Sequence, residues 1–252
     1  MELNSLPEKS RKVYELTYRK FMNYRIEKKI ESLSESILIA YFAQMSRNSK
    51  ASTLWASYSM LKTTLNLNDN VDISRYLKLR AFLKKQSLGY QAKKSRVLEM
   101  EHIEKFLLEA PDKDFLSTKV ALVIGVAGAC GGQELVRLKI TDIVDMNDKL
   151  LVTLPDTRAK RTRSFLITKH LDIYRKYTAA RPRGLESPRF FFKYAAGKSY
   201  KQVIGIHKFG KMPQEIAKFL KLPYAIEYTG HCLRRTSGAL LATSKARWLG
   251  VL

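Results

Sequence analysis

The chain has 252 residues, 45% of them apolar, and carries 46 Lys/Arg against 23 Asp/Glu, a formal net charge of +23. No stretch reaches the roughly 18 to 20 consecutive apolar residues of a membrane span, and two cysteines, Cys130 and Cys232, are too few for a disulfide framework or a zinc site. The basic surplus is shared nearly equally between residues 1–97 and the rest, so both parts are expected to meet a polyanion, nucleic acid first.

The first 90 residues predict four helices with short polar connections. Residues 8–28 space Val13, Tyr14, Tyr18, Phe21, Met22 and Ile26 as one helical face, with Lys and Arg between them. Ser34 is the expected N-cap of a second helix through Met45, with Glu35 in its first turn. Ser52 is expected to start a third helix through Leu65, and Ser74 a fourth through Gln86. On the third, Lys62 is a candidate phosphate contact, and Trp55 and Tyr58 are either groove contacts or core. Residues 88–96 lack apolar periodicity and read as an interdomain linker, whose Lys93, Lys94 and Arg96 would lie along a phosphate backbone. The domain boundaries drawn from this are 1–90, a linker 91–97, and 98–252.

Helices are expected at 100–109 and 113–129, with a short one near Gln133, followed by strands at 150–155 and 164–168. Between the strands, residues 156–163 hold Arg158, Lys160, Arg161 and Arg163, which predicts a hairpin with a strongly basic tip. Further helices are expected near 169–179, 206–220 and 231–245, with an aromatic strand at Phe190–Phe192 and with Pro213 kinking or starting the middle one. The fold class is therefore mainly α with a small β-sheet.

Two segments carry chemistry. In Thr229-Gly230-His231-Cys232-Leu233-Arg234-Arg235-Thr236-Ser237, His231 and Arg234 sit three residues apart on one helical face and can reach one phosphate. This segment resembles the second catalytic box of the tyrosine recombinase (phage integrase) family. The segment from Gly128 to Ile143 resembles that family's first box at Glu134, Leu135, Leu138, Asp142 and Ile143. There the family's catalytic arginine falls on Gly131, which has no side chain to donate. Ser52-Thr53-Leu54-Trp55 and Gly205–Lys211 place the resemblance nearest the recombinases of Crypton-type DNA transposons.

The resemblance implies an N-terminal helical core-binding (SAM-like) domain followed by a recombinase catalytic-domain fold (α+β), incomplete at its C-terminus. It places an arginine, Arg158, where the family has a lysine acting as general acid, with Lys160 as a weak substitute. His231 and Arg234 would be the remnant of the catalytic site, with Arg235 beside them for DNA contact. No tyrosine follows Arg235 in the sequence, so no covalent phosphotyrosyl intermediate is expected. The expected function is binding of double-stranded DNA without strand exchange by this chain alone, with no cofactor and no metal, as a monomer when free of DNA. Two alternatives stay open: a component of an active recombination or integration complex whose tyrosine comes from another chain, and a regulatory partner of a full-length recombinase. Cysteine usage and the lack of a signal-peptide pattern at Met1-Glu2-Leu3-Asn4 point to an intracellular protein, and a nuclear one by transposon descent.

Overall fold

The computed structural model describes residues 8–91, 93–154 and 162–243, and divides the chain into two compact units, Met1–Ala92 and Lys93–Leu252. In the first unit α1 (Glu8–Glu27), α2 (Glu35–Ser46), α3 (Ala51–Asn68) and α4 (Leu77–Gln86) enclose one apolar core. Phe21, Leu38, Phe42, Leu61, Leu65, Ile73, Leu79 and Leu83 are its fully buried members. Their spacing in each helix is the i, i+3/i+4 pattern that turns one stripe inward.

Helix starts in this unit depart from the sequence expectations in instructive ways. Ser34 is extended, as an N-cap must be, but its hydroxyl meets Ser36 Oγ at 2.9 Å rather than a backbone amide. Glu35 reaches across to α4, where Oε1 accepts the Leu79 N–H at 2.9 Å. Ser74 does not begin the fourth helix. Asp72 Oδ1 accepts both its N–H (2.9 Å) and its hydroxyl (2.6 Å), which fixes residues 73–75 as a single 3-10 turn and delays α4 to Leu77. Trp55 and Tyr58 pack edge to face at 5.7 Å, Tyr58 is buried, and the Trp55 indole N–H donates to Ser87 Oγ at 2.9 Å. Core packing thus accounts for both aromatics.

The second unit is built around α6 (Asp112–Ala127), which is buried continuously from Leu116 to Ala127. Such a helix reads as apolar all round because neighbours cover every face. Those neighbours are α5 (Met100–Glu109), α8 (Leu171–Ala179), α10 (Cys232–Ala242) and strands of both sheets. The three-stranded antiparallel sheet has the order β1 (Ile143–Asp145), β2 (Leu150–Leu154), β3 (Arg163–Ile167). Its register pairs Ile143 with Val152, and Leu150 with Ile167 through to Leu154 with Arg163. Along β2, Leu150, Val152 and Leu154 face the core, as period-two alternation requires.

The aromatic strand lies two residues later than its sequence suggests, at β4 (Phe192–Ala195), paired antiparallel with β5 (Lys198–Val203). Phe190 and Phe191 precede it as buried core, and Tyr177 of α8 stacks on Phe192 at 4.3 Å while its hydroxyl donates to Phe192 O at 2.6 Å. Pro213 lies inside α9 (Ile206–Phe219), where the helix continues past it without the bond residue 213 would donate to Phe209. The short α7 (Gly132–Arg137) links α6 to β1.

Candidate phosphate-binding site at the end of α6

The end of α6 brings distant parts of the second unit together because two of its positions, Gly125 in the last turn and the C-cap Gly128, lack side chains. A Cβ on Gly125 would lie 2.5 Å from Leu233 Cδ1 of α10, and one on Gly128 would lie 2.4 Å from the Phe165 ring of β3. Glycine permits both approaches. Leu233 precedes Arg234, and Arg163 shares a strand face with Phe165, so the same packing delivers both arginines to one place.

The chain leaves α6 through paired bonds, Ala129 N–H to Val126 O (3.2 Å) and Cys130 N–H to Gly125 O (2.7 Å), the pattern that closes a helix through a left-handed residue. That residue is Ala129, with φ +45°. A residue with a Cβ pays roughly 1–2 kcal/mol to adopt this conformation, and it aims the Ala129 carbonyl at the arginines. Arg234 Nε donates to Ala129 O at 2.8 Å, and Arg163 Nη2 approaches the same oxygen at 3.5 Å.

Glu134 is the centre of the cluster. Its side chain is 9% exposed, Oε1 accepts Arg163 Nη2 at 2.7 Å, and Oε2 accepts Arg234 Nη2. Oε2 also accepts the Gly131 N–H at 2.6 Å, satisfying an orphan amide at the start of α7. The arginine side chains are 42% and 50% exposed, so a buried carboxylate holds two half-hydrated guanidiniums side by side. Gly131, the position where the resemblance expects an arginine, lies against this pair: a Cβ there would stand 3.3 Å from Arg234 Nη2 and 3.4 Å from Glu134 Oε2. Next to it the Cys130 thiol is pushed up to about 12, by burial first and then by the Glu134 charge, which leaves it protonated and unreactive.

His231 is the exposed N-cap of α10, three residues before Arg234, and its side chain has no hydrogen-bond or ionic partner among the described residues. Arg235 follows, also exposed. Arg158, Lys160 and Arg161 lie outside the described residues. Arg96 is engaged within its own unit: Nε donates to Glu227 Oε2 at 2.7 Å and the guanidinium sits 4.6 Å over the Tyr224 ring. Lys93 and Lys94 are exposed, and Lys62 is exposed on α3 in the other unit. Arg181 and Arg189, which the sequence did not single out, bond backbone carbonyls, among them Ser187 O (2.7 Å) and Val136 O (2.6 Å), and brace the loop before β4. No group of three or more His, Cys, Asp or Glu suited to a metal occurs among the described residues.

Sequence reasoning named Glu134, Arg163 and Arg234 in three separate contexts but not their convergence. A signal was available in Gly125 and Gly128, one turn apart in an otherwise apolar helix, which mark close backbone approach.

The fold of the chain is that of solved tyrosine recombinases and integrases. No family model matches the sequence, nor does any curated protein. Among solved structures the chain is similar to the XerH site-specific recombinase in a post-cleavage complex with a palindromic difH substrate, at 16% identity and a TM-score of 0.65, over 94% of this chain and 69% of that one. It is likewise similar to a lambda integrase dimer bound to a COC' core site (14% identity, TM-score 0.60, 98% of this chain and 89% of that one). The Tn1549 transposon integrase with circular intermediate DNA gives 17% identity and a TM-score of 0.59, over 96% and 83%.

Proposed function

We propose that this chain is a duplex-DNA-binding protein of tyrosine-recombinase descent that does not carry out strand exchange by itself. The observation that carries the reading is the Arg163–Glu134–Arg234 cluster, set at the end of α6 in a recombinase fold and flanked by the exposed His231 and Arg235. Its half-exposed guanidiniums are planar forks matched to phosphate oxygens. The net charge of +23 supplies the long-range attraction. Glycine at position 131 and arginine at position 158 support the loss of strand cleavage. The first offers no side chain to the charge that develops on a displaced phosphate, and the second holds its proton too tightly to act as an acid.

Titration of a labelled duplex oligonucleotide with the full chain tests this. Affinity is expected to fall on the order of 10³-fold between 50 and 200 mM salt, as several phosphate contacts require. Salt-independent binding would overturn the DNA reading. A duplex carrying a suicide nick is expected to give no covalent adduct, and an adduct would overturn the loss of strand cleavage.

A further inference from the structure

We infer that Arg163 and Arg234 together form a seat for a single DNA phosphate, with Arg163 of β3 supplying the second guanidinium that position 131 lacks. The inference deepens the DNA-binding reading and rests on it. It concerns binding, not cleavage.

The two arginines arrive on different elements and meet on the two oxygens of one carboxylate. Two guanidiniums repel each other, and the buried Glu134 is what holds them together in the free protein. With one negative and two positive charges, the cluster carries a net +1, the complement of one phosphodiester. Donors remain for it: Arg163 Nε and Nη1 and Arg234 Nη1 have no partner among the described residues, and half the area of each side chain meets water. Glycine at 131 belongs to the same arrangement. Arg234 Nη2 and Cζ stand 3.3 and 3.4 Å from where a Cβ would be, so Arg234 occupies the space a side chain there would enter. On the opposite side, the Phe165 ring against Gly128 fixes the strand face that carries Arg163. Arg181 and Arg189 mark the contrast, since they are less exposed and meet backbone carbonyls with no carboxylate partner among the described residues.

The test uses the full chain and a labelled duplex, comparing Arg163→Ala, Arg234→Ala, the double variant and Arg163→Lys across a salt series. Each single variant leaves Glu134 one arginine and is expected to fold, whereas the double variant strips the buried carboxylate of both, so the double variant is made together with Glu134→Gln, and the unfolding transition of every variant is recorded alongside. Each single alanine variant is expected to bind about 10-fold more weakly and to reduce the magnitude of the salt slope by about 1. The double variant is expected to lose little more than either single one, with the slope still reduced by about 1, because both side chains serve one phosphate. Arg163→Lys is expected to keep the slope and lose affinity, having a charge but no fork. An Arg163→Ala protein with unchanged affinity and slope makes Arg163 a partner of Glu134 only and overturns the proposal. Additive losses with the slope reduced by about 2 place the arginines on separate phosphates and overturn it as well. Failure of the parent chain to bind in a salt-dependent way is a separate result, which removes the DNA-binding reading itself.

Discussion

Two carboxylates in the second unit each lie between two cations, and the pair shows how the same chemistry serves different ends. Asp112, in the first turn of α6, accepts Lys119 Nζ at 2.7 Å and Lys176 Nζ at 3.2 Å. Here the cation is the buried partner, the Lys119 side chain being 5% exposed and Asp112 36%. At Glu134 the order is inverted, with a buried carboxylate and half-exposed arginines. A buried cation must be neutralised for the fold to form. Exposed cations on a buried carboxylate instead keep part of their surface in water.

Breaking the first cluster should have the largest effect on stability. Asp112→Ala leaves the buried Lys119 ammonium with no carboxylate among the described residues, and is expected to cost about 2–3 kcal/mol, just under the roughly 3–5 kcal/mol of fully buried pairs because Asp112 is partly in water. The urea midpoint of unfolding measures it. The salt slope of DNA binding in the same variant is expected to stay at the parent value. A changed slope would erase the distinction between the clusters.

Glu134→Ala should cost less, about 1–2 kcal/mol. It removes the acceptor for the Gly131 N–H and the counter-charge for two arginines, but those arginines can take up water. Equal urea midpoints for the Glu134 and Asp112 variants would mean that exposure of the cation does not decide the energetics.

The same contrast sets what could be read from the sequence. Helical periodicity located α1, α2, α3, α5 and α8 to within a few residues, and alternation located β2 and β3, because these signals are local. β1 carries no such signal, since only Ile143 of its three residues is buried, and neither does β5, where Lys198, Tyr200, Lys201 and Gln202 show no apolar alternation. Pairing with a neighbour, not composition, makes them strands. α4 starts at Leu77, later than the expected Ser74, because Asp72 captures Ser74. At the site, residue types and spacing point to His231 and Arg234, and only the family resemblance marks Gly131 as an anomaly. The meeting of Arg163 and Arg234 on Glu134 depends on α10 and β3 pressing against Gly125 and Gly128, a tertiary event with no periodicity of its own.

The smallest effect belongs to a third ion pair, where carboxylate and cation are both accessible. Arg175 of α8 forks onto Asp145 at the end of β1, Nε to Oδ2 at 2.8 Å and Nη2 to Oδ1 at 2.9 Å. The Arg175 bond is the main reason that the Asp145 carboxyl lies below the ordinary carboxylate value, and the Asn147 N–H adds to it at 3.0 Å. A carboxylate with a depressed folded pKa stabilises fully above its unfolded value of about 3.9, and loses that contribution as pH falls through the folded value. With side chains 45% and 30% exposed, the pair is screened by solvent and its contribution at neutral pH is small. Asp145→Asn should therefore lower the urea midpoint slightly at pH 7, and the variant and parent midpoints should converge as the pH is brought below about 4. Salt should shrink the pH 7 difference, since this pair is screened at both ends. A difference that persisted in acid would show that something other than the Asp145 charge carries the stabilisation, and would overturn the ion-pair account, because the Oδ1 of an asparagine at 145 can still accept the Asn147 N–H.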